Sequence, residues 1–356
     1  MDNIPITIII PVYNGERYIN RCMKNILSDP YKALEIVAVN DGSKDGSGKI
    51  LDSWAIKDSR VHVVHTINNG VSSARNIGIE YAINYTSSSY YHFVDIDDGI
   101  LTGSYTEIMN SICQDSDPDI IVFGYTIVLY DIKGKIIRKE VIVPPLEGEL
   151  NEEELIVRYF EYYGIRKGIR NSVCNKLFKA SLCKEVRFRT ELKQAEDLFF
   201  NIDIWAKAKK MFFIPKTYYF YYKESIGKNY YDDDIQMAFD RDLEIQNKII
   251  YMGVNRKLAL DEYYHKVLDT TYDNCMLILR SKTSNPEYDI DDCLKKLTKL
   301  NVPKKIRNIT LQQRSILISS KLKGKYLRYV FLKTVKLGSR IIRGGKEVLT
   351  RAFKRI

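Results

Sequence analysis

Three times in the first 94 residues an apolar, β-branched run passes through a short polar turn into a helical pattern, and a fourth apolar run closes the series. Residues 6–10 are four isoleucines and one threonine; Pro11 ends that strand, residues 12–15 are turn chemistry, and residues 16–27 read as a helix. A second strand at 34–40 ends in the turn 41–47, which enters a helix around Ile50, Leu51 and Trp54. A third strand at 61–65 is followed by the turn 68–71 and a helix over 72–85, and residues 91–94 form the fourth strand. Strands that are apolar throughout, without alternation, are buried on both faces, as in a parallel sheet. Repeated strand–loop–helix units of this length specify an α/β, doubly wound architecture. Right-handed crossovers place the carboxyl ends of all the strands on one edge, and ligands of such sheets bind just beyond that edge.

The fourth strand runs directly into Asp95, Asp97 and Asp98. Carboxylates crowded together repel one another, so a site that keeps them ionised tends to hold a cation. All-oxygen ligation suits Mg²⁺ or Mn²⁺, which commonly bridge protein carboxylates to substrate phosphates. A solvated acidic turn is the competing reading of these three residues taken alone. Asn14, Asp41, Asn69 and Arg75 fall at the ends of the other units and converge on the same edge, as a nucleotide site requires. The glycine-rich turn of a dinucleotide dehydrogenase and the phosphate loop of a P-loop NTPase are both missing from the sequence.

A length of 356 residues predicts about two domains. The 45% hydrophobic and 12% aromatic content is that of a globular chain, and the 26 tyrosines offer apolar faces with hydrogen-bonding tips for packing or sugar stacking. Six cysteines form no Cys-x-x-Cys pair and no zinc pattern. The amino terminus lacks the basic and apolar regions of a signal peptide, and no apolar run is long enough to span a bilayer, so a cytoplasmic location is expected. Residues 301–356 hold sixteen Lys or Arg and one acidic residue, Glu347, a net +15; the whole chain carries +10, which leaves −5 for residues 1–300.

Four segments, each at a strand–loop junction and in this order, resemble the family 2 glycosyltransferases with a GT-A fold. They are Pro11, Val12, Tyr13, Asn14; then 40–47, from Asn40 through Asp41 and Gly42 to Ser47; then 69–78, with Ser72, Ser73, Ala74, Arg75, Asn76 and Gly78; then 93–98, with Asp95, Ile96, Asp97 and Asp98. The resemblance covers roughly residues 4–225 and implies a Rossmann-like sheet that binds a UDP-sugar. On that analogy the Asp41 carboxylate accepts the imide N–H of the base, where a helix-capping role is the structural alternative. Pro11, Val12, Tyr13, Asn14 and Glu16 lie along the ribose and base, with Asn69 beside them. Arg75 meets a base carbonyl or the diphosphate, or else forms an ion pair. Asp97 is the first metal ligand. Asp95, with Ile96, meets the ribose or a metal-bound water and seconds the metal. Asp98 is expected near the donor sugar or behind the metal. Asn76 and Gly78 read as helix packing.

Beyond residue 98 the pattern predicts a helix over 103–113, a strand at 119–125 and a hairpin pairing 127–130 with 136–143 across residues 131–135. Residues 151–154 open a helix with carboxylates where its dipole favours them. In the family an Asn-Lys-Leu-Phe stretch, here Asn175 to Phe178, precedes a Glu-Asp pair, here Glu196 and Asp197. The resemblance makes Asp197 the general base, with Glu196 second; capping of the helix over 198–206 is the alternative. Lys176 neutralises the leaving diphosphate or caps a helix. Short strands are predicted at 211–215 and 218–222, closing the transferase domain at 225; a helical extension follows over 226–300. The basic segment 301–356 then places Leu327, Phe331, Val335, Ile341, Ile342, Leu349 and Phe353 on one helical face and Lys333, Lys336, Arg340, Arg343 and Lys354 on the other. That face pattern suits the surface of an anionic membrane; helix packing or a dimer contact are the alternatives. Nucleic-acid binding fits the charge and nothing else in the chain.

The expectation is therefore an inverting, Mn²⁺- or Mg²⁺-dependent transferase that moves a sugar from a UDP-sugar to a hydroxyl of a lipid-linked saccharide in cell-surface polysaccharide synthesis, at the inner face of the plasma membrane. The competing classes are a nucleotidyltransferase of sugar nucleotides and a non-catalytic binding module. Donor sugar, acceptor and oligomeric state are left open by the sequence.

Overall fold

The computed structural model of the chain describes residues 4–112, 116–152, 154–155, 172–192, 196–224 and 285–299, with shorter pieces between 264 and 332. The chain divides into two compact units, Met1–Ile226 and Gly227–Ile356. The first begins with β1 (Ile6–Val12), α1 (Glu16–Leu27), β2 (Leu34–Asp41), α2 (Ser47–Lys57), β3 (Val61–Thr66), α3 (Val71–Tyr85) and β4 (Tyr90–Phe93). β1 lies between β2 and β4, β3 lies outside β2, and all three pairings are parallel. Successive residues of a strand point to opposite faces. Ile8, Ile9 and Ile10 of β1 are all fully buried, as are Ile36, Val37, Ala38 and Val39 of β2, so this half of the sheet is covered on both sides. Residues Ile19, Cys22, Met23 and Ile26 make the buried stripe of α1, at the three- and four-residue spacing of an amphipathic helix.

The rest of the unit consists of β5 (Gly99–Ile100), α4 (Ser104–Ser111), β6 (Ile120–Tyr130), β7 (Ile136–Ile142), β8 (Gly148–Asn151), β9 (Lys176–Lys179), α5 (Ala180–Cys183), α6 (Glu196–Trp205) and β10 (Lys210–Glu224). Together the strands form one ten-stranded sheet in the order β3-β2-β1-β4-β9-β6-β10-β5, with β7 beside β6 and β8 beside β10. β9 is antiparallel to both β4 and β6, so the sheet turns from parallel to mixed at that point.

Several boundaries differ from the sequence reading. Pro11 does not end β1; it pairs in register with Val39. The Ile9 carbonyl accepts from the Val94 N–H, so Ile9 and, two residues on, Pro11 face the β4 side. β4 has already ended at Phe93, and the missing proline N–H leaves no ladder bond unmade. The strands expected at 119–125 and 127–130 are one strand of 11 residues. Those expected at 211–215 and 218–222 are also one, of 15 residues, whose register shifts between Ile214 and Tyr219 absorb Pro215. Asn151 ends β8 and opens a helix at once: its side chain accepts the Glu154 N–H while Glu154 accepts the Asn151 N–H, both at 3.1 Å, a reciprocal cap.

In the second unit α7 (Pro286–Lys299) starts on a proline, whose missing N–H costs nothing in a first turn. It buries Ile290, Cys293, Leu294 and Leu297 along one stripe. The basic helix expected over 326–353 lies, apart from Leu332, outside the described residues. No helix among the described residues is long and apolar enough to cross a membrane.

Candidate active site

The carboxyl ends of β1, β2 and β4 and the first turn of α3 enclose a cleft of about 540 Å³. Its walls include Pro11, Val12, Tyr13, Asn14, Asp41, Arg75, Asp95, Ile96, Asp97 and Glu196, ten of the residues the sequence singles out. Tyr18, Asn68, Gly70, Val71 and Ala74 also line it. Tyr18 stands four residues beyond Asn14, one helical turn into α1, and that spacing was the signal available for it.

Hydrogen bonds between loops fix the β1 and β2 ends. The Asn14 N–H donates to Ser43 Oγ at 3.0 Å, and the Asn14 side chain accepts from the Lys44 N–H at 2.8 Å. Glu16 does not line the cleft; its carboxylate accepts the Gly46 N–H at 2.7 Å and ties α1 to the β2–α2 turn. Asp41, only 3% exposed, accepts the N–H of Asn69 on one oxygen and that of Gly70 on the other, both at 2.9 Å. Gly42 makes this possible. A Cβ there would come within 2.6 Å of the Asn68 nitrogen, and its φ of +66° is one L side chains rarely adopt. Asn69 thus serves the site through its backbone.

Arg75 is the centre of charge. Its buried guanidinium lies 2.9 Å from Asp95 Oδ1, 2.7 Å from Asp197 Oδ1 and 3.4 Å from Glu196 Oε1. Burial opposes its charge, yet Asp197 and Asp95 outweigh burial and hold it protonated far above the usual range. The group expected at a base carbonyl or diphosphate therefore joins the β4 end to the start of α6. It also rests over the Phe188 ring at 5.2 Å, and Phe188 stacks on Phe200 of α6 at 3.9 Å. Asn76 holds the same stretch, exchanging hydrogen bonds of 2.8 Å with the backbone of Phe188.

Asp197 and Glu196 form the first turn of α6, where the helix dipole favours carboxylates. Burial raises the Asp197 carboxyl to about 6, against the pull of Arg75, and its second oxygen accepts the Val173 N–H at 3.3 Å. Glu196 borders the cleft directly. Burial, and then the charge of Asp95, also push Asp97 upward.

Asp98 and Lys176 are not brought into the cleft. Asp98 turns inward, accepting from Tyr219 Oη at 2.5 Å and from the Tyr222 N–H at 3.0 Å, and burial raises it to about 8. Lys176 is fully buried and donates to the Ser172 carbonyl at 2.6 Å and to Asn175 Oδ1 at 2.8 Å; burial lowers it to about 7. Each braces a loop of the site: Asp98 the turn carrying Asp95 and Asp97, Lys176 the turn whose Val173 holds Asp197.

No group of three His, Cys, Asp or Glu among the described residues has the arrangement of a metal site. A magnesium-like ion on a nucleotide substrate needs only one or two carboxylates, since phosphates complete its shell. Asp97, whose charge is opposed by Asp95, meets that need, as does the Asp95 oxygen not taken by Arg75.

A cleft at the carboxyl ends of parallel strands stands where α/β sheets bind their ligands. Comparison with known proteins refines the class. Residues 7–178 match the glycosyl transferase family 2 model. It is 32% identical over 216 residues to glycosyltransferase GlyA of Streptococcus pneumoniae, covering 61% of this chain and 30% of that protein. It is 31% identical over 268 residues to the poly(ribitol-phosphate) beta-glucosyltransferase of Bacillus spizizenii, covering 70% of this chain and 39% of that one. The chain thus spans less than half the length of either relative. The crystal structure of Staphylococcus aureus TarS 1-349 in complex with UDP-GlcNAc superposes with a TM-score of 0.70 at 17% identity, covering 94% of this chain and 92% of that one. The fold is shared with TarS, the GT-A arrangement of a mostly parallel sheet.

Proposed function

We propose that this chain is an inverting glycosyltransferase that moves a sugar from a UDP-sugar to a hydroxyl of a saccharide acceptor. The observation that carries the reading is the juxtaposition of a nucleotide-sized cleft at the β1, β2 and β4 ends with a carboxylate pair at the start of α6. The relatives' names support sugar transfer, and the UDP-GlcNAc in TarS supports this donor class.

The nucleoside lies against residues 11–14, with the Asp41 carboxylate facing the base. Asp97 and Asp95 would hold a divalent ion, Mn²⁺ or Mg²⁺, which supplies positive charge to the departing diphosphate. The acceptor oxygen attacks the anomeric carbon on the side opposite the diphosphate. One C–O bond forms, the bond to the phosphate oxygen breaks, UDP leaves, and the hydroxyl proton passes to a carboxylate. Asp197 is the base we favour, because a value of about 6 sits close to the working range of a general base. Arg75 keeps that carboxylate directed and, through Asp95, joins the base to the metal-binding turn. Glu196 borders the cleft and is the second carboxylate in reach. The basic segment 301–356 suits a membrane-borne acceptor, which makes a lipid-linked saccharide of the cell surface the acceptor class we favour, with the enzyme at the inner face of the membrane.

The test is transfer or slow donor hydrolysis from a panel of UDP-sugars. D97A and D197N are each expected to lower turnover about 100-fold or more, in line with the loss of a metal ligand or a general base. D197N should leave UDP binding intact, and D97A should not. If E196Q is crippled while D197N is active, Glu196 is the base. Full activity in all three variants would overturn the mechanism.

A further inference from the structure

We infer that the β6–β7 hairpin is a docking surface for an anionic lipid bilayer, and that it stands at the same edge of the sheet as the cleft. This inference does not depend on the reading of the cleft. β4 and β6 are both antiparallel to β9, so they run in the same direction. Tyr91 and Ile120 pair with the same residue, Phe178, and His92 and Ile121 with Leu177. Counting on from those pairs, Gly124 is level with Asp95, and β6 continues to Tyr130. At about 3.3 Å per residue that is roughly 20 Å of strand beyond the level of the aspartates. The Tyr130 hydroxyl is raised by burial and then by Tyr18, with Asp97 also contributing, which agrees with its position beside the cleft.

The tip is rigid. Asp131 Oδ1 accepts the N–H groups of Lys133 and Lys135, each at 2.9 Å, and the Asp131 N–H donates to the Lys135 carbonyl at 3.0 Å. The turn and the strand after it leave large aliphatic side chains out in water: Ile132 is 82% exposed, Ile136 51%, Ile137 58% and Val141 64%. They contribute little to the fold where they stand, and several large apolar side chains exposed along one short hairpin mark an interaction surface. Lys133, Lys135, Arg138 and Lys139 are interleaved with them and exposed. Of the nearby carboxylates, Asp131 caps the turn, Glu140 lies 3.3 Å from Arg138, and Glu224 of β10 pairs in register with Tyr130. Apolar side chains that can enter the headgroup layer, ringed by cations, complement an anionic membrane. β7 has only β6 as a partner among the described residues. Pairing of that open edge with a second copy is opposed by its cations, which would be brought face to face.

The experiment uses the full chain carrying an environment-sensitive fluorophore on I132C, with vesicles of phosphatidylglycerol and phosphatidylcholine or of phosphatidylcholine alone. The described native cysteines are all buried, and labelling of unsubstituted protein serves as control. The expected result is a blue shift and quenching by brominated lipid with the anionic vesicles only. I132S/I136S/I137S, with unchanged thermal stability, should partition about tenfold or more weakly. A probe that stays in water while the protein sediments with vesicles would assign binding to another surface and overturn the inference. So would absence of sedimentation, or a shift without lipid that grows with protein concentration, which would indicate self-association.

Discussion

Arg75 shows how one side chain sets the chemistry of several. Three carboxylates from β4's end and α6 converge on a guanidinium that is 3% exposed. Removing one member of a buried ionic cluster leaves the others unpaired, at a cost of about 3 kcal/mol or more. R75M is therefore expected to lower the unfolding free energy by about that amount and to abolish transfer, as read by urea denaturation and a transfer assay. R75K should recover part of the stability but little of the activity, because an ammonium cannot bridge Asp95 and Asp197 with a planar fork. His92 makes a second prediction. One of its ring nitrogens faces the Cys174 carbonyl at 2.8 Å, so that nitrogen carries the proton, and the other accepts from Tyr105 at 2.9 Å. Burial lowers its value to about 4. The unfolded chain, with an ordinary imidazole near 6.5, then binds more protons than the native chain in between. The stability His92 contributes is present above pH 6.5 and is lost as pH falls toward 4, to the extent of roughly 3 kcal/mol. Equilibrium unfolding across that range should show the slope, and H92Q should flatten it. The pairing of His92 with Tyr105 was not legible, since Tyr105 belongs to a different element; for Arg75 an ion pair was one of the two expected roles, without its partners. Its partners 20 and more than 120 residues away come from packing.

At the scale of elements, α3 is seated by one missing side chain. A Cβ at Gly78 would come within 2.3 Å of Ile9 Cγ2, in a fully buried strand. G78A should cost about 1–3 kcal/mol by overpacking and push the first turn of α3, with Arg75, off the cleft. I9A alone should also destabilise, yet the double variant should be more stable than the two losses combined predict, as chemical denaturation would show. The strands β1 to β4 were legible because apolar runs between turn residues are local signals. The merging of two segments into β10 was not, because Pro215 reads as a break until the bulge that accommodates it is seen. The cleft was legible where motif residues present side chains or backbone at strand ends. For Asp98 and Lys176 the sequence left two roles each, because their inward direction depends on Tyr219, Tyr222 and the 172–175 turn.

At the scale of the molecule, every strand among the described residues and every residue lining the cleft belongs to Met1–Ile226. A fragment ending there is expected to unfold cooperatively and to bind UDP as the full chain does, while differing from it in vesicle binding if the basic segment 301–356 also engages lipid. The central claim is that the cleft is a UDP site served by a divalent ion at Asp97 and Asp95. Its most direct measurement is calorimetric titration of UDP into the full chain, first with Mn²⁺ and then with EDTA. The account predicts saturable binding with Mn²⁺ that weakens about tenfold or more with EDTA, and loss of that difference in D97A. Absence of binding in both conditions, from protein shown to be folded, would contradict it.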